Sequence, residues 1–127
     1  MMKRVRKLLL AMTSPRQWPP LLRHGLLAGN EHWPILPADL RAIVDIGANR
    51  GQFALAVRSR FPDAKIESFE PLPGPSGIFR SIFGSDPLTR LHQTAIGAEP
   101  ARMTMHVSAR DDSSSLLAMA DEHQNHY

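Results

Sequence analysis

One stretch constrains this chain more than any other: Ile43-Val44-Asp45-Ile46-Gly47-Ala48-Asn49-Arg50-Gly51-Gln52-Phe53. Apolar, β-branched residues run from Ile43 to Ile46 with only Asp45 intervening, which predicts a central parallel strand covered on both faces. Gly47 then permits a turn that a side chain would obstruct, and Gly51 lets a helix begin close to the strand or to a ligand. Asn49 followed three positions later by Gln52 fits a capping box, so the spacing predicts a helix from Arg50. Phe53, Val57 and Phe61, four apart, would pack that helix back on the sheet. A chain of 127 residues with 43% hydrophobic content supplies one globular core to receive them.

The segments downstream extend the same pattern. Phe61-Pro62-Asp63-Ala64 reads as a turn, and Lys65-Ile66-Glu67-Ser68-Phe69 as a second strand ending at Glu70-Pro71. A strand, helix and strand in about thirty residues is the right-handed crossover unit of a parallel sheet. Leu72-Pro73-Gly74-Pro75 predicts a loop, after which Ser76 would cap a short helix carrying Ile78, Phe79, Ile82 and Phe83 to its end at Gly84. A third strand is expected near Leu91 to Ile96. From Ala101 to Val107, Met103, Met105 and Val107 alternate with Arg102, Thr104 and His106, a half-exposed fourth strand. Ser113-Ser114-Ser115 would cap a further helix through Leu116 to Met119. The expected fold class is α/β: a partial Rossmann-like parallel sheet flanked by helices.

Residues 1–41 read as a basic, proline-rich helical lead-in, and residues 42–127 as the sheet-bearing part. Pro15, Pro19, Pro20, Pro34 and Pro37 break the lead-in, leaving room for a short helix at Leu21 to Leu27 ended by Gly29-Asn30. At the start, Lys3, Arg4, Arg6 and Lys7 precede Leu8-Leu9-Leu10, an apolar run too short for a signal core or a membrane span. It predicts a basic amphipathic helix lying on the domain or in solvent, with membrane-surface contact as the alternative. A formal charge of +3 permits polyanion binding without arguing for it, and no nucleic-acid partner is expected. With no cysteine the chain has no disulfide, thiolate metal site or cysteine nucleophile, which fits a reducing, cytoplasmic setting.

Ligands of open α/β sheets sit beyond the carboxyl ends of the strands, so Asp45 to Gly51 and Glu70 share the predicted site edge. A phosphate-cradling loop needs a Lys and a Ser or Thr after its second glycine, where Gln52 and Phe53 stand. A dinucleotide turn wants G-x-G-x-x-G, but Asn49 and Gln52 occupy the later glycine positions. A nucleoside without phosphates suits better, because the Glu70 carboxylate can accept from two ribose hydroxyls. An amino-acid carboxylate could meet the amides at the helix start.

That ligand description matches S-adenosylmethionine. Val44-Asp45-Ile46-Gly47-Ala48-Asn49-Arg50-Gly51-Gln52-Phe53, Ser68-Phe69-Glu70-Pro71-Leu72-Pro73, Ala95-Ile96-Gly97 and Ser113-Ser114-Ser115-Leu116-Leu117 together resemble the FkbM family of S-adenosylmethionine-dependent methyltransferases. The resemblance covers roughly residues 42–120. It implies a class I methyltransferase fold in which Asp45, Gly47, Asn49 and Gly51 hold the methionine part of the cofactor and Glu70 its ribose. It also implies O-methylation of a hydroxyl acceptor, with sugars, polyketides, lipids and peptides all open as the acceptor. The family continues to a strand with a Lys-Ile-Asp-x-Glu-Gly-like signature and the rest of a seven-stranded sheet. Nothing here matches those parts, so the expectation is the amino-terminal part of such an enzyme, lacking the carboxyl-terminal strands.

Methyl transfer from a sulfonium is an in-line displacement that asks the protein chiefly to position the nucleophile, with a base for an alcohol acceptor. His92, His106, His123, Asp111 and Asp112 are available, and none sits in a motif that selects it. The histidine spacings indicate no metal site; His123 and His126 could share a helix face. Simpler roles compete at the turn: Asp45 as a strand-end carboxylate satisfied by turn amides, Asn49 as a helix cap, and the glycines as turn geometry. Two other functions stand beside the enzyme. One is a noncatalytic remnant binding a nucleoside, or a protein along an exposed sheet edge. The other, a nicotinamide-dependent oxidoreductase, conflicts with the glycine pattern.

Overall fold

A computed structural model of the chain describes Val5, Arg6, Leu8, Leu9, residues 12–105 and Val107. Three parallel strands form one sheet in the order β1 (Ala42–Ile46), β2 (Lys65–Phe69), β3 (Thr89–His92). The register pairs Ile43 with Ile66 and Asp45 with Ser68, and on β3 pairs Ser68 with Leu91. Two helices complete the crossovers, Gln52–Arg60 between β1 and β2 and Pro73–Phe83 between β2 and β3. Both connections step the same way across the sheet, and right-handed crossovers of that kind lay their helices on one face. The burial agrees. Asp45, Ile66 and Ser68 are buried on one side, while Val44 and Ile46 on the other are 60% and 63% exposed.

The expected central strand is therefore an edge strand among the described residues, and β2 is the middle one. An apolar run cannot distinguish burial on two faces from burial on one. The fold class is as expected at the coarse level: an α/β arrangement with a small parallel sheet and flanking helices, compatible with a partial Rossmann-like fold.

The lead-in folds with the sheet in one unit, Met1–Ala95, while Ile96–Tyr127 group separately. Its helix, α1, runs Trp18–His24, earlier than the expected Leu21 to Leu27. Pro19 and Pro20 lie in its first turn, where no intrahelical amide is needed, and Gly25 at φ 61° ends it in the left-handed region. Short 3-10 turns occupy Pro15–Gln17 and Asn30–Ile35. Val5, Arg6, Leu8, Leu9 and Met12 are helical and exposed, and the remaining residues of the expected amino-terminal helix lie outside the described ones.

We number the crossover helices α2 (Gln52–Arg60) and α3 (Pro73–Phe83). Helix α2 lies between the sheet and the lead-in, so Ala54, Leu55, Ala56 and Val57 are all buried. The lead-in reaches it through polar as well as apolar contacts. Gln17 and Asn30, both buried, exchange amide hydrogen bonds of 3.2 Å, and Gln17 Nε2 also donates to Ser59 Oγ at 3.1 Å. The Trp33 indole donates to the Ala56 carbonyl at 2.9 Å, and the Gly29 amide to that of Gln52 at 2.8 Å. These bonds satisfy groups that burial would otherwise leave unpaired. Val57 and Phe61 are in the core as expected, and Phe53 is partly buried against it.

Helix α3 begins at Pro73, three residues before the expected cap. Proline in the first turn is favourable rather than loop-forming, because it brings the right φ and removes an orphan amide. Ser76 is inside the helix, its hydroxyl donating to the Glu70 carbonyl at 2.9 Å. The third strand ends at His92 instead of extending to Ile96. Described residues 101–105 and 107 carry no strand, and Met103 and Val107 are exposed. Alternation alone makes no strand without a partner to take its hydrogen bonds. The expected helix at Ser113 to Met119 lies outside the described residues.

Candidate functional site

The turn from β1 into α2 is held by backbone bonds to the end of β2. The Gly47 and Ala48 amides both donate to the Phe69 carbonyl, at 2.9 and 3.0 Å, and the Gly51 amide donates to that of Ala48 at 2.9 Å. The Asn49 amide donates to Glu70 Oε2 at 2.9 Å, while the Leu72 amide donates to Glu70 Oε1 at the same distance. Glu70 is 6% exposed. Its carboxylate thus ties the turn after β1 to the chain leaving β2, using one lone pair on each oxygen.

Three residues of the turn have positive φ: Gly47 at 78°, Asn49 at 50° and Gly51 at 96°. Gly51 occupies the N-cap position, α2 starts at Gln52, and no side chain caps it. The capping box between Asn49 and Gln52 is therefore absent. Asn49 instead stands two residues before the cap, in a left-handed conformation that Asn tolerates better than most residues. The two glycines differ in purpose. A Cβ at Gly47 would meet nothing within 4 Å, whereas at Gly51 it would stand 2.8 Å from Phe83 Cε2 and 3.0 Å from Phe79 Cδ2. Gly51 makes room for the packing of α3, and Gly47 leaves open space beside the turn.

Buried polar atoms collect here without protein partners: Asp45 Oδ2, Asn49 Oδ1 and Ser68 Oγ. Asp45 and Ser68 are register partners at the ends of β1 and β2. Burial pushes the Asp45 carboxyl up from its ordinary 3.8 to about 6; the charge of His32 opposes the rise and that of Glu70 adds to it. The alternative in which turn amides satisfy Asp45 does not account for Oδ2, since the Gly47, Ala48, Asn49 and Gly51 amides are committed elsewhere. The same commitment leaves those four amides unsuited to an incoming carboxylate.

All five predicted site residues, Asp45, Gly47, Asn49, Gly51 and Glu70, belong to this one edge of the sheet. Two residues escaped the sequence reading. Ser68 lies on the Asp45 face and could have been found by aligning the two strands. His32 comes from the lead-in, its ring edge-on to Phe53 with centroids 5.3 Å apart, and no local pattern marks it. His92 stands on the opposite sheet face from Asp45. Its Nε2 lies 2.7 Å from Glu67 Oε2, and its ring stacks on Phe69 at 4.6 Å. His106, His123, Asp111 and Asp112 lie outside the described residues. Among the described residues no group of His, Cys, Asp or Glu could hold a metal ion, and no helix is long and apolar enough to cross a membrane.

The edge gathers three unpartnered buried polar atoms, one of them a carboxylate oxygen, beside open space at a glycine. Fold and site together define an α/β chain with a candidate ligand site at the carboxyl ends of its parallel strands. No protein-family model matches the chain, and no curated protein matches it.

Proposed function

We propose that this edge binds S-adenosylmethionine and that the chain is part of an FkbM-like methyltransferase acting on a hydroxyl-bearing small molecule, glycan, lipid or peptide. The observation that carries the reading is the buried, unpartnered Asp45 Oδ2 with Asn49 Oδ1 in the same turn. A buried acceptor without a donor is costly, and a ligand ammonium would supply donors and an opposite charge. The amino group of the cofactor's methionine part is such a donor. Gly47 leaves the space a ligand needs to approach the backbone. Each Glu70 oxygen retains a lone pair for a ribose hydroxyl after accepting its amide. Gly51 supports the site indirectly, by seating α3.

Bound S-adenosylmethionine would supply an electrophilic methyl group. This chain's part is to fix the cofactor: Asp45 and Asn49 accept from its ammonium, and Glu70 fixes the turn while receiving the ribose. Charging Asp45 beside a cation lowers its pKa, so binding would release a proton wherever free Asp45 is protonated. Calorimetry with S-adenosylmethionine, its demethylated product and NAD separates the readings. Binding of the first two without NAD is the expected result, and a folded sample that binds neither refutes the assignment.

A second reading, a protein partner on the uncovered sheet face rather than along the sheet edge, draws on the exposure of Val44 and Ile46. It predicts that a Val44→Lys, Ile46→Lys double variant loses partner or self-association while keeping nucleoside affinity; unchanged association would remove it.

A further inference from the structure

An open cavity lies between α1, α2 and the carboxyl-terminal end of α3. It holds about 490 Å³, within the range of small-molecule sites. Its charge is one-sided: Arg16, Arg23 and Arg58 line it against a single acid, Asp86. That acid is already neutralised, since Arg58 Nε donates to Asp86 Oδ2 at 2.8 Å. Arg58 has four of its five donors engaged, with Nη1 donating to the Phe61 and Pro62 carbonyls at 3.3 and 2.6 Å and Nη2 to Thr89 Oγ1 at 3.0 Å. It serves chiefly to build the wall.

The polar groups left to face a ligand are the Arg16 and Arg23 guanidiniums and the His24 ring. Arg16 spends one donor on the Arg58 carbonyl at 3.2 Å and keeps the rest of its guanidinium fork. Arg23 makes no ion pair among the described residues. His24 is steadied by Ser81, whose Oγ lies 2.9 Å from Nε2. Because the Ser81 hydroxyl also donates to the Ile78 carbonyl at 2.7 Å, its single proton is engaged and His24 Nε2 is the donor to Oγ. The rest of the lining is apolar and stiff, with Pro19 and Pro20 from α1 and Ile82 and Phe83 from α3.

The geometry points to a binding site for an organic phosphate monoester, its dianionic head between Arg16 and Arg23 and its apolar body against the prolines, Ile82 and Phe83. Two guanidinium forks offer more donors than a carboxylate accepts and match the three oxygens and double charge of a phosphate ester. The apolar wall gives an ester an advantage over inorganic phosphate. No residue of the glycine turn lines the site, so its fate does not depend on the cofactor assignment.

The test uses phenyl phosphate as probe on the intact chain, with inorganic phosphate and phenol as the two halves of its chemistry. Saturable calorimetric binding of phenyl phosphate is expected, at least about tenfold tighter than inorganic phosphate, with phenol weaker still. Methyl NMR shifts should fall on Leu55 and Ile82. R23Q and R16Q, both at exposed positions, should each weaken binding by about tenfold or more in samples with wild-type circular dichroism. No saturable binding, equal affinity for inorganic phosphate, or wild-type affinity in the R16Q/R23Q double variant would overturn the site.

Discussion

The Asn49 amide donates to Glu70 Oε2 at 2.9 Å across 21 residues of sequence. With the Leu72 amide on the other oxygen, this bond makes Glu70 a structural clamp as well as the candidate ribose acceptor. Glu70→Ala strands two amide donors in a largely buried place, each worth roughly 1–3 kcal/mol. We expect it to lower unfolding free energy by at least about 2 kcal/mol, with Glu70→Gln losing less because one acceptor oxygen remains. Urea denaturation checks this; a Glu70→Ala midpoint equal to wild type would contradict the clamp.

Asp45 predicts a pH signature. Its folded pKa, about 6, lies above the ordinary 3.8, so between those values the folded state binds more protons than the unfolded state. Stability therefore falls as pH rises through that window, by an amount on the order of 3 kcal/mol for a shift of about two units. Asp45→Asn removes the titration. The variant should match wild type more closely near pH 4 and gain on it as pH approaches 7. A stability difference independent of pH would mean that Asp45 ionises normally.

The two glycines of the turn should respond differently to alanine. Gly47→Ala meets no atom and costs only the left-handed backbone penalty of about 1–2 kcal/mol. Gly51→Ala carries the same penalty and also drives a methyl group into Phe83 and Phe79, adding about 1–3 kcal/mol of overpacking. The thermal midpoint of Gly51→Ala should be the lower of the two. The reverse order would contradict the seating of α3 against Gly51.

Asp86 works in the opposite sense to Asp45. Burial pushes its carboxyl up, but hydrogen bonds from Thr89 and the Leu88 amide, together with Arg58, hold it below the ordinary range. Its contribution is present above the unfolded pKa and lost as pH falls through the lower folded one. Asp86→Asn should reduce stability at pH 7 and narrow the gap to wild type in strong acid. A constant gap across that range would contradict the ion pair with Arg58.

The strand, turn and helix from Ile43 to Phe61 were legible because period, glycine placement and β-branching agree there. Glu70 was legible from its position at the end of the second strand. What stayed hidden is non-local. The layer over α2 depends on Gln17, Asn30 and Trp33 finding partners about 13 to 42 residues away, which no local period encodes. The start of α3 was misplaced because prolines that break a helix interior also suit a first turn. The Asn49 cap is absent because a capping box describes residue types, while amide bonds from Gly47, Ala48 and Asn49 to Phe69 and Glu70 hold that stretch as a turn and α2 starts only after Gly51.

If Asp45 holds the ammonium of S-adenosylmethionine, as we propose, one paired titration will show it. Calorimetry compares wild type with Asp45→Asn, using S-adenosylmethionine and methylthioadenosine, which keeps the nucleoside and lacks the amino-acid part. Asp45→Asn should weaken S-adenosylmethionine by about tenfold or more and leave methylthioadenosine unchanged. Equal effects on both ligands, or no effect on either in a folded variant, would contradict the account.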